Sequence, residues 1–202
     1  MLDIGCVEHN LENRKHGHWL HDCLVKSASS VLGLDYEVEQ VEQMRNEGYN
    51  VVAADATHFS LSEKFDAILA GECIEHVLNP GLFLECVKMH LTPSGRLIIT
   101  TPNANCLVHF LENLIIGHEV DNPDHVTLYT PTTITHLLKK SGFVVENIVF
   151  LAENTAYYHT LVASKILVHL KQAVQLALGC IRPSICHHMI VIARKNENRD
   201  AE

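Results

Sequence analysis

The run Leu-Ala-Gly-Glu-Cys-Ile-Glu-His ending at His76 sets two carboxylates and an imidazole, Glu72, Glu75 and His76, around a strand end and the turn after it. Well downstream, His125 follows Asp124 and precedes Tyr129-Thr130-Pro131, which reads as a helix start. Side chains of these types bind divalent cations, and two carboxylates with two imidazoles suit Mn²⁺, Fe²⁺, Co²⁺ or Zn²⁺ on ligand softness. A cation at the mouth of a sheet would lower the pKa of a coordinated oxygen and fix its position, which turns a poor hydroxyl nucleophile into a useful one. Two vicinal oxygens would chelate such an ion together. Without a metal, His125 or His76 becomes the candidate general base. The competing explanation is structural: the chain holds 15 histidines, so Glu75 can be a helix-start charge, His76 a core imidazole and His125 a turn residue.

Positioning these groups takes alternating strands and helices. Apolar runs predict strands at Leu2 to Ile4, Ser30 to Leu34, Val51 to Ala54, Phe65 to Ala70 and Arg96 to Thr101, the last following the turn Pro93-Ser94-Gly95. Helices are expected over residues 19–29, 36–47 and 80–91, then over 132–140 up to Gly142. Short apolar strands separated by helices imply βαβ crossovers and a parallel sheet covered on both faces. Strands at 143–151 and 189–194 follow, the second pairing antiparallel with the first. The predicted fold is α/β: a Rossmann-like doubly wound, mostly parallel sheet with an antiparallel last strand.

The length of 202 residues and 47% hydrophobic content fit a single domain over 1–202. Two helical insertions interrupt it, 104–124 over the site and 152–188. Within the second, over 155–179, Leu161, Ile166, Leu167, Leu170, Val174 and Leu178 are mixed with Lys165, His169, Lys171 and Gln175, which excludes a simple membrane span and predicts packing on the domain or a homodimer contact, with a lipid-facing surface as the alternative. A net charge of -9 disfavours nucleic acid as a partner and favours a small-molecule acceptor. The seven cysteines form no Cys-x-x-Cys pair, and Met1 leads directly into a strand, so no signal peptide is expected and the reading is a reducing cytoplasm. His16, His18 and His21 around Trp19 read as a solvated helix face, and Cys186-His187-His188 as structural, because adjacent strand residues point to opposite faces.

The strand ends carry the second chemistry. Leu2-Asp3-Ile4-Gly5-Cys6 closes the first strand, Asp35-Tyr36 the second and Asp55-Ala56 the third. A carboxylate at a strand tip accepts two hydrogen bonds from a vicinal diol, and glycine lets the backbone approach a ligand. This series resembles the class I S-adenosylmethionine-dependent methyltransferases over most of residues 1–151, including Gly-Arg-Leu-Ile-Ile-Thr-Thr-Pro-Asn and the helix end Leu-Leu-Lys-Lys-Ser-Gly-Phe. The resemblance implies S-adenosylmethionine as cofactor, bound by Asp3, Gly5, Cys6, Asp35, Tyr36, Asp55, Ala56 and Gly71. Two departures stand out. The glycine-rich Gly-Cys-Gly-x-Gly turn is replaced by Gly5-Cys6-Val7-Glu8-His9, and the chain begins within the first strand, without the helix that precedes it in the family.

Glu72, Glu75 and His76 with the later His125 resemble two groups within that family, the O-methyltransferases of ubiquinone biosynthesis and the 3′-terminal 2′-O-methyltransferases of small RNAs. The resemblance implies Mg²⁺ or Mn²⁺ at the quartet and an acceptor with two neighbouring hydroxyls. Thr100-Thr101-Pro102-Asn103 replaces the Asn-Pro-Pro-Tyr type of motif that grips planar amines, so oxygen is the expected acceptor, with Asn103 available to hydrogen-bond it. The expected activity is O-methylation of a small diol-like or catechol-like molecule, such as a sugar, quinone precursor or natural product. The alternatives are RNA 3′-terminal 2′-O-methylation and a non-catalytic S-adenosylmethionine-binding protein, the latter suggested by the lost glycines.

Overall fold

The computed structural model describes residues 1–7, 11, 19–117, 122–151, 173, 176, 177, 179 and 181–196. Seven strands form one sheet: β1 (Leu2–Ile4), β2 (Leu32–Asp35), β3 (Val51–Ala53), β4 (Phe65–Gly71), β5 (Leu91–Pro102), β6 (Phe143–Leu151) and β7 (His188–Lys195). Their spatial order is β3-β2-β1-β4-β5-β7-β6, with β1 to β5 parallel and β7 antiparallel to both neighbours. The chain steps outward from β1 to β3 and then returns to place β4 on the other side of β1. That reversal opens a crevice at the carboxyl ends of β1 and β4, where open α/β sheets bind ligands.

Leu2, Ile4, Ile68, Ala70, Leu97 and Ile99, on the central strands, are all buried, which explains their unbroken apolar runs. Around them pack Phe83, Leu84 and Val87 of α3 (Pro80–His90) and Ile134 and Leu138 of α5 (Pro131–Lys140). A second cluster joins Trp19, Cys6 and Val51 to Val41 and Met44 of α2 (Val38–Asn46). Capping sets the helix starts near the site. Asn79 accepts a hydrogen bond from Leu82 N ahead of α3, and Thr130 and Thr133 form a reciprocal capping box at α5, each helix with proline in its first turn. Just before α5, Tyr129 bridges Asn103 at the end of β5 and so ties the 124–129 segment to the sheet.

Several boundaries differ from the sequence reading. β5 begins at Leu91 rather than Arg96, because Leu91 already pairs with Phe65 and the register shifts before Arg96 pairs with Ala67. β7 pairs antiparallel with β6 as expected, and it also lies against β5. The helix α4 (Leu107–Ile116) follows β5 within the 104–124 insertion, ending at Gly117 in a left-handed conformation. The expected helix and dimer contact at 155–179 lie outside the described residues apart from 173, 176, 177 and 179. Among the described residues no helix is long and apolar enough to cross a membrane.

His21, on α1 (Leu20–Ser27), corrects the solvated-face reading, while His16 and His18 lie outside the described residues. It is 1% exposed, with Nδ1 2.8 Å from Asp3 Oδ2. The pair pins α1 to β1, since removing one member of a buried pair strands the other. His21→Ala is expected to destabilise the fold by about 3 kcal/mol in urea titration, and a loss under about 1 kcal/mol would show that the pair does not secure α1.

Candidate active site

The strand tips on one side of the crevice carry the acids expected to hold the cofactor. Ala54 N donates to Asp35 O at 2.8 Å, so Asp35 and Asp55 stand at adjoining strand ends. Asp55 is exposed, with Oδ1 accepting from the Thr57 amide and hydroxyl; those bonds hold its pKa below the usual range and keep it ionised. Asp35 is buried, which pushes its pKa up, and its carboxylate accepts from Val7 N and Glu37 N. With glycines absent beyond Gly5, Asp35 itself holds the turn after β1. Gly5 has φ +85, a left-handed conformation suited to glycine, and a Cβ there would lie 3.8 Å from Gly71 O and from Cys73 Cβ. Gly5 and Gly71 therefore stand side by side at the paired tips of β1 and β4. Tyr36 is 70% exposed beside Asp35, and Ala56 follows Asp55 at the rim.

Two expected cofactor residues sit deeper. Asp3 is 3% exposed and engaged by His21, while Cys6 is buried with its carbonyl accepting from Trp19 Nε1. Burial and the charges of Asp35 and Asp3 push the Cys6 thiol far up. Both thus stand buried at the end of β1, next to Gly5.

On the other side, β4 ends at Gly71 and a single 3-10 turn, Ile74–His76, begins. Glu75, His76 and His125 come together there, each with one ligand atom within 4.8 Å of the others. The convergence is built by the backbone, because Glu75 O accepts from both Val126 N and Thr127 N and draws the His125 segment over the turn. His76 Nδ1 lies 3.1 Å from Asp124 O, so an Nδ1–H donated there leaves Nε2 as the ligating nitrogen. Glu75 is fully buried; Oε2 accepts from the Thr101 hydroxyl at 2.9 Å, while Oε1 has no hydrogen-bond partner. A buried carboxylate oxygen without a partner, beside two imidazoles, fits a cation ligand.

Glu72, the fourth expected ligand, is not part of that group of three. Its backbone has φ 45, uncommon for a residue with a side chain, and is held there by Thr100, whose carbonyl and hydroxyl oxygens both accept from Glu72 N. Glu72 Oε1 accepts from the Thr100 hydroxyl at 2.7 Å, and Oε2 lies 3.2 Å from His188 Nε2. The carboxylates diverge in charge as a result. Burial first, and then the charge of Glu72, push Glu75 up to about 8. At Glu72 burial also works upward, but the hydrogen bond and charge of His188, the Thr100 hydroxyl and the charge of His125 outweigh it and hold the pKa below normal.

Asn103 corrects another expectation. It is buried, its amide nitrogen donating to Ser184 O and Cys186 O and its Oδ1 accepting from Asn105 N, so it braces loops instead of meeting an acceptor. Sequence reasoning missed Thr100, Thr101, Tyr129 and His188 around the two glutamates. Thr100 and Thr101 were visible only as a departure from an amine-binding motif, and His188, seen within Cys186-His187-His188, read as structural because its contact with Glu72 arises from strand order.

A crevice at the β1 and β4 tips, flanked by strand-end acids, defines a methyltransferase of class I, and known proteins agree. Residues 1–148 match the family model described as a methyltransferase domain, and the chain belongs to that family of S-adenosylmethionine-dependent methyltransferases. The chain is 27% identical over 177 residues to the mitochondrial ubiquinone biosynthesis O-methyltransferase of Rattus norvegicus, covering 79% of this chain and 49% of that protein. It thus spans about half the length of that relative. Among solved structures, an S-adenosylmethionine-dependent methyltransferase from Archaeoglobus fulgidus superposes with TM-score 0.58 at 22% identity, covering 96% of this chain and 85% of the other. The small RNA methyltransferase HEN1 does so with TM-score 0.61 at 18% identity, covering 97% and 23%.

The elevated Glu75 pKa sets a direction for stability. The folded protein keeps a proton on Glu75 that an unfolded chain has lost, so this contribution is full below the ordinary glutamate range and falls as pH rises through about 8. The metal-free protein is expected to lose melting temperature between about pH 5 and about pH 8, and Glu75→Gln to flatten that slope. Parallel slopes for the two proteins would contradict the assignment.

Proposed function

We propose that this methyltransferase transfers the methyl group to a hydroxyl oxygen of a small acceptor bearing two neighbouring oxygens, with a divalent cation, Mg²⁺ or Mn²⁺, assisting. The observation that carries this reading is the convergence of Glu75, His76 and His125 beside the crevice, with one buried Glu75 oxygen unpartnered. The similarity to a protein named as a ubiquinone biosynthesis O-methyltransferase supports oxygen as the acceptor atom. S-adenosylmethionine supplies the electrophilic methyl, and a cation would supply positive charge that acidifies a bound hydroxyl.

The chain's own residues do the rest. Asp55 presents an ionised carboxylate at the β3 tip for the adenosyl part of the cofactor, with Asp35, Tyr36 and Ala56 beside it, and Gly5 and Gly71 let the backbone approach the methionine part. Asp3 and Cys6 support this surface from beneath. Glu75, His76 and His125 hold the cation, and Glu72 adds a second carboxylate at its edge. Where no cation binds, His125 or His76 accepts the acceptor's proton on a ring nitrogen. The whole of 1–202 is read as one catalytic domain acting in a reducing compartment such as the cytoplasm, which suits the free cysteines at 6, 23, 73, 86, 106 and 186. A homodimer through 155–179 remains part of this reading.

The test offers the protein S-adenosylmethionine with catechol, a simple sugar diol or a short RNA ending in a 3′-terminal diol, with Mn²⁺ or excess chelator. Monomethylated catechol or sugar is expected, its rate falling by about 100-fold or more with chelator and in Glu75→Gln. Unchanged rates under chelator would remove the metal from the mechanism. Methylation of the RNA alone would favour a terminal 2′-O-methyltransferase, against which the charge of -9 argues. Calorimetry showing no S-adenosylhomocysteine binding would remove the cofactor assignment.

A further inference from the structure

A second group of histidines lies against the site without belonging to the cation cluster. His187 Nδ1 is 2.6 Å from His188 Nδ1, and His187 Nε2 is 2.6 Å from His109 Nε2. His188 in turn reaches Glu72 Oε2 through Nε2. The row thus runs from α4, which carries His109, through the entry to β7, to the carboxylate beyond the tip of β4. Alternation would turn adjacent strand residues to opposite faces, but β7 begins only at His188 and His187 follows the 3-10 turn Pro183–Ile185, so both rings meet.

The chemistry of these contacts fixes the donor to Glu72. An ionised carboxylate only accepts, so His188 Nε2–H donates to Glu72. With a neutral His188 the row runs one way: His188 Nδ1 accepts from His187 Nδ1–H, and His187 Nε2 accepts from His109 Nε2–H. With a protonated His188 it runs the other way, His188 Nδ1–H donating to His187 Nδ1 and His187 Nε2–H to His109 Nε2, and Glu72 keeps its His188 contact in both. In either direction each ring holds the next in its hydrogen-bonding role, as partners behind a metal ligand do.

We propose that His188, His187 and His109 are positioning residues for Glu72. They fix the orientation of its carboxylate beside the cation cluster and tie that orientation to the docking of α4. Glu72 needs such support because its side chain is 43% exposed and its backbone adopts an uncommon left-handed conformation. Thr100 holds one carboxylate oxygen and His188 the other. This inference rests on the cation site proposed above, to which the Glu72 charge contributes.

Mn²⁺ affinity, measured by electron paramagnetic resonance on the full chain loaded with S-adenosylhomocysteine, tests it. His188→Ala and His109→Ala are expected to weaken Mn²⁺ binding, His188→Ala by about 10- to 100-fold, with S-adenosylhomocysteine affinity and melting temperature close to those of the unaltered protein. His188→Gln, whose amide can still donate to Glu72, is expected to restore most of the affinity, and it keeps the test decisive if the alanine variant fails to fold. Unaltered protein that binds Mn²⁺, with His188→Ala binding it equally well, would overturn the positioning role alone. A lowered melting temperature without a change in Mn²⁺ affinity would do the same by assigning the row to stability. Unaltered protein that binds no Mn²⁺ would overturn the cation site and this role together.

Discussion

Burial of the Glu75 carboxylate is the constraint around which the site is organised. A buried carboxyl group is costly unless it is neutral, hydrogen-bonded or compensated by positive charge. Glu75 has one hydrogen bond, from Thr101, and an oxygen with none, and its pKa is raised. Its backbone carbonyl meanwhile gathers the amides of Val126 and Thr127. One residue thereby joins the turn after β4, the end of β5 and the segment carrying His125. Any cation bound there would exchange for the proton on Glu75, so binding, acidity and local stability are linked.

The neighbouring carboxylates illustrate how environment divides similar groups. Glu72 and Glu75 are separated by one turn of chain, yet hydrogen bonds and positive neighbours favour ionisation at one while burial opposes it at the other. The same division separates the acids of the cofactor side. Asp55 stands ionised at the surface, Asp35 is occupied with backbone amides, and Asp3 is enclosed with His21. Sheet order creates these differences, since β1 is flanked on both sides and β3 lies at an edge.

Much of this was legible in the sequence because parallel strands leave strong local signals. Apolar runs with Gly5, Asp35 and Asp55 at their ends located the strand tips, and two carboxylates and two histidines pointed to one corner of the sheet. What escaped depends on contacts between distant segments. Asp3 looked like its fellow strand-end acids until His21, 18 residues away, was found against it. His188 reaches Glu72 only because β7 inserts next to β5, and Asn103 is consumed by carbonyls more than 80 residues further on. The start of β5 was obscured by Pro93, Ser94 and Gly95, which read as a turn and form an irregularity within the ladder.

The most direct measurement is a crystal structure of the chain grown with S-adenosylhomocysteine and Mn²⁺, with anomalous diffraction recorded at the manganese edge. The account predicts the nucleoside across the tips of β1, β2 and β3, its sulfur directed toward the β4 turn, and an anomalous peak bound by Glu75, His76 and His125. A nucleoside bound elsewhere, or a well-ordered nucleoside with no anomalous density between those side chains, would contradict it.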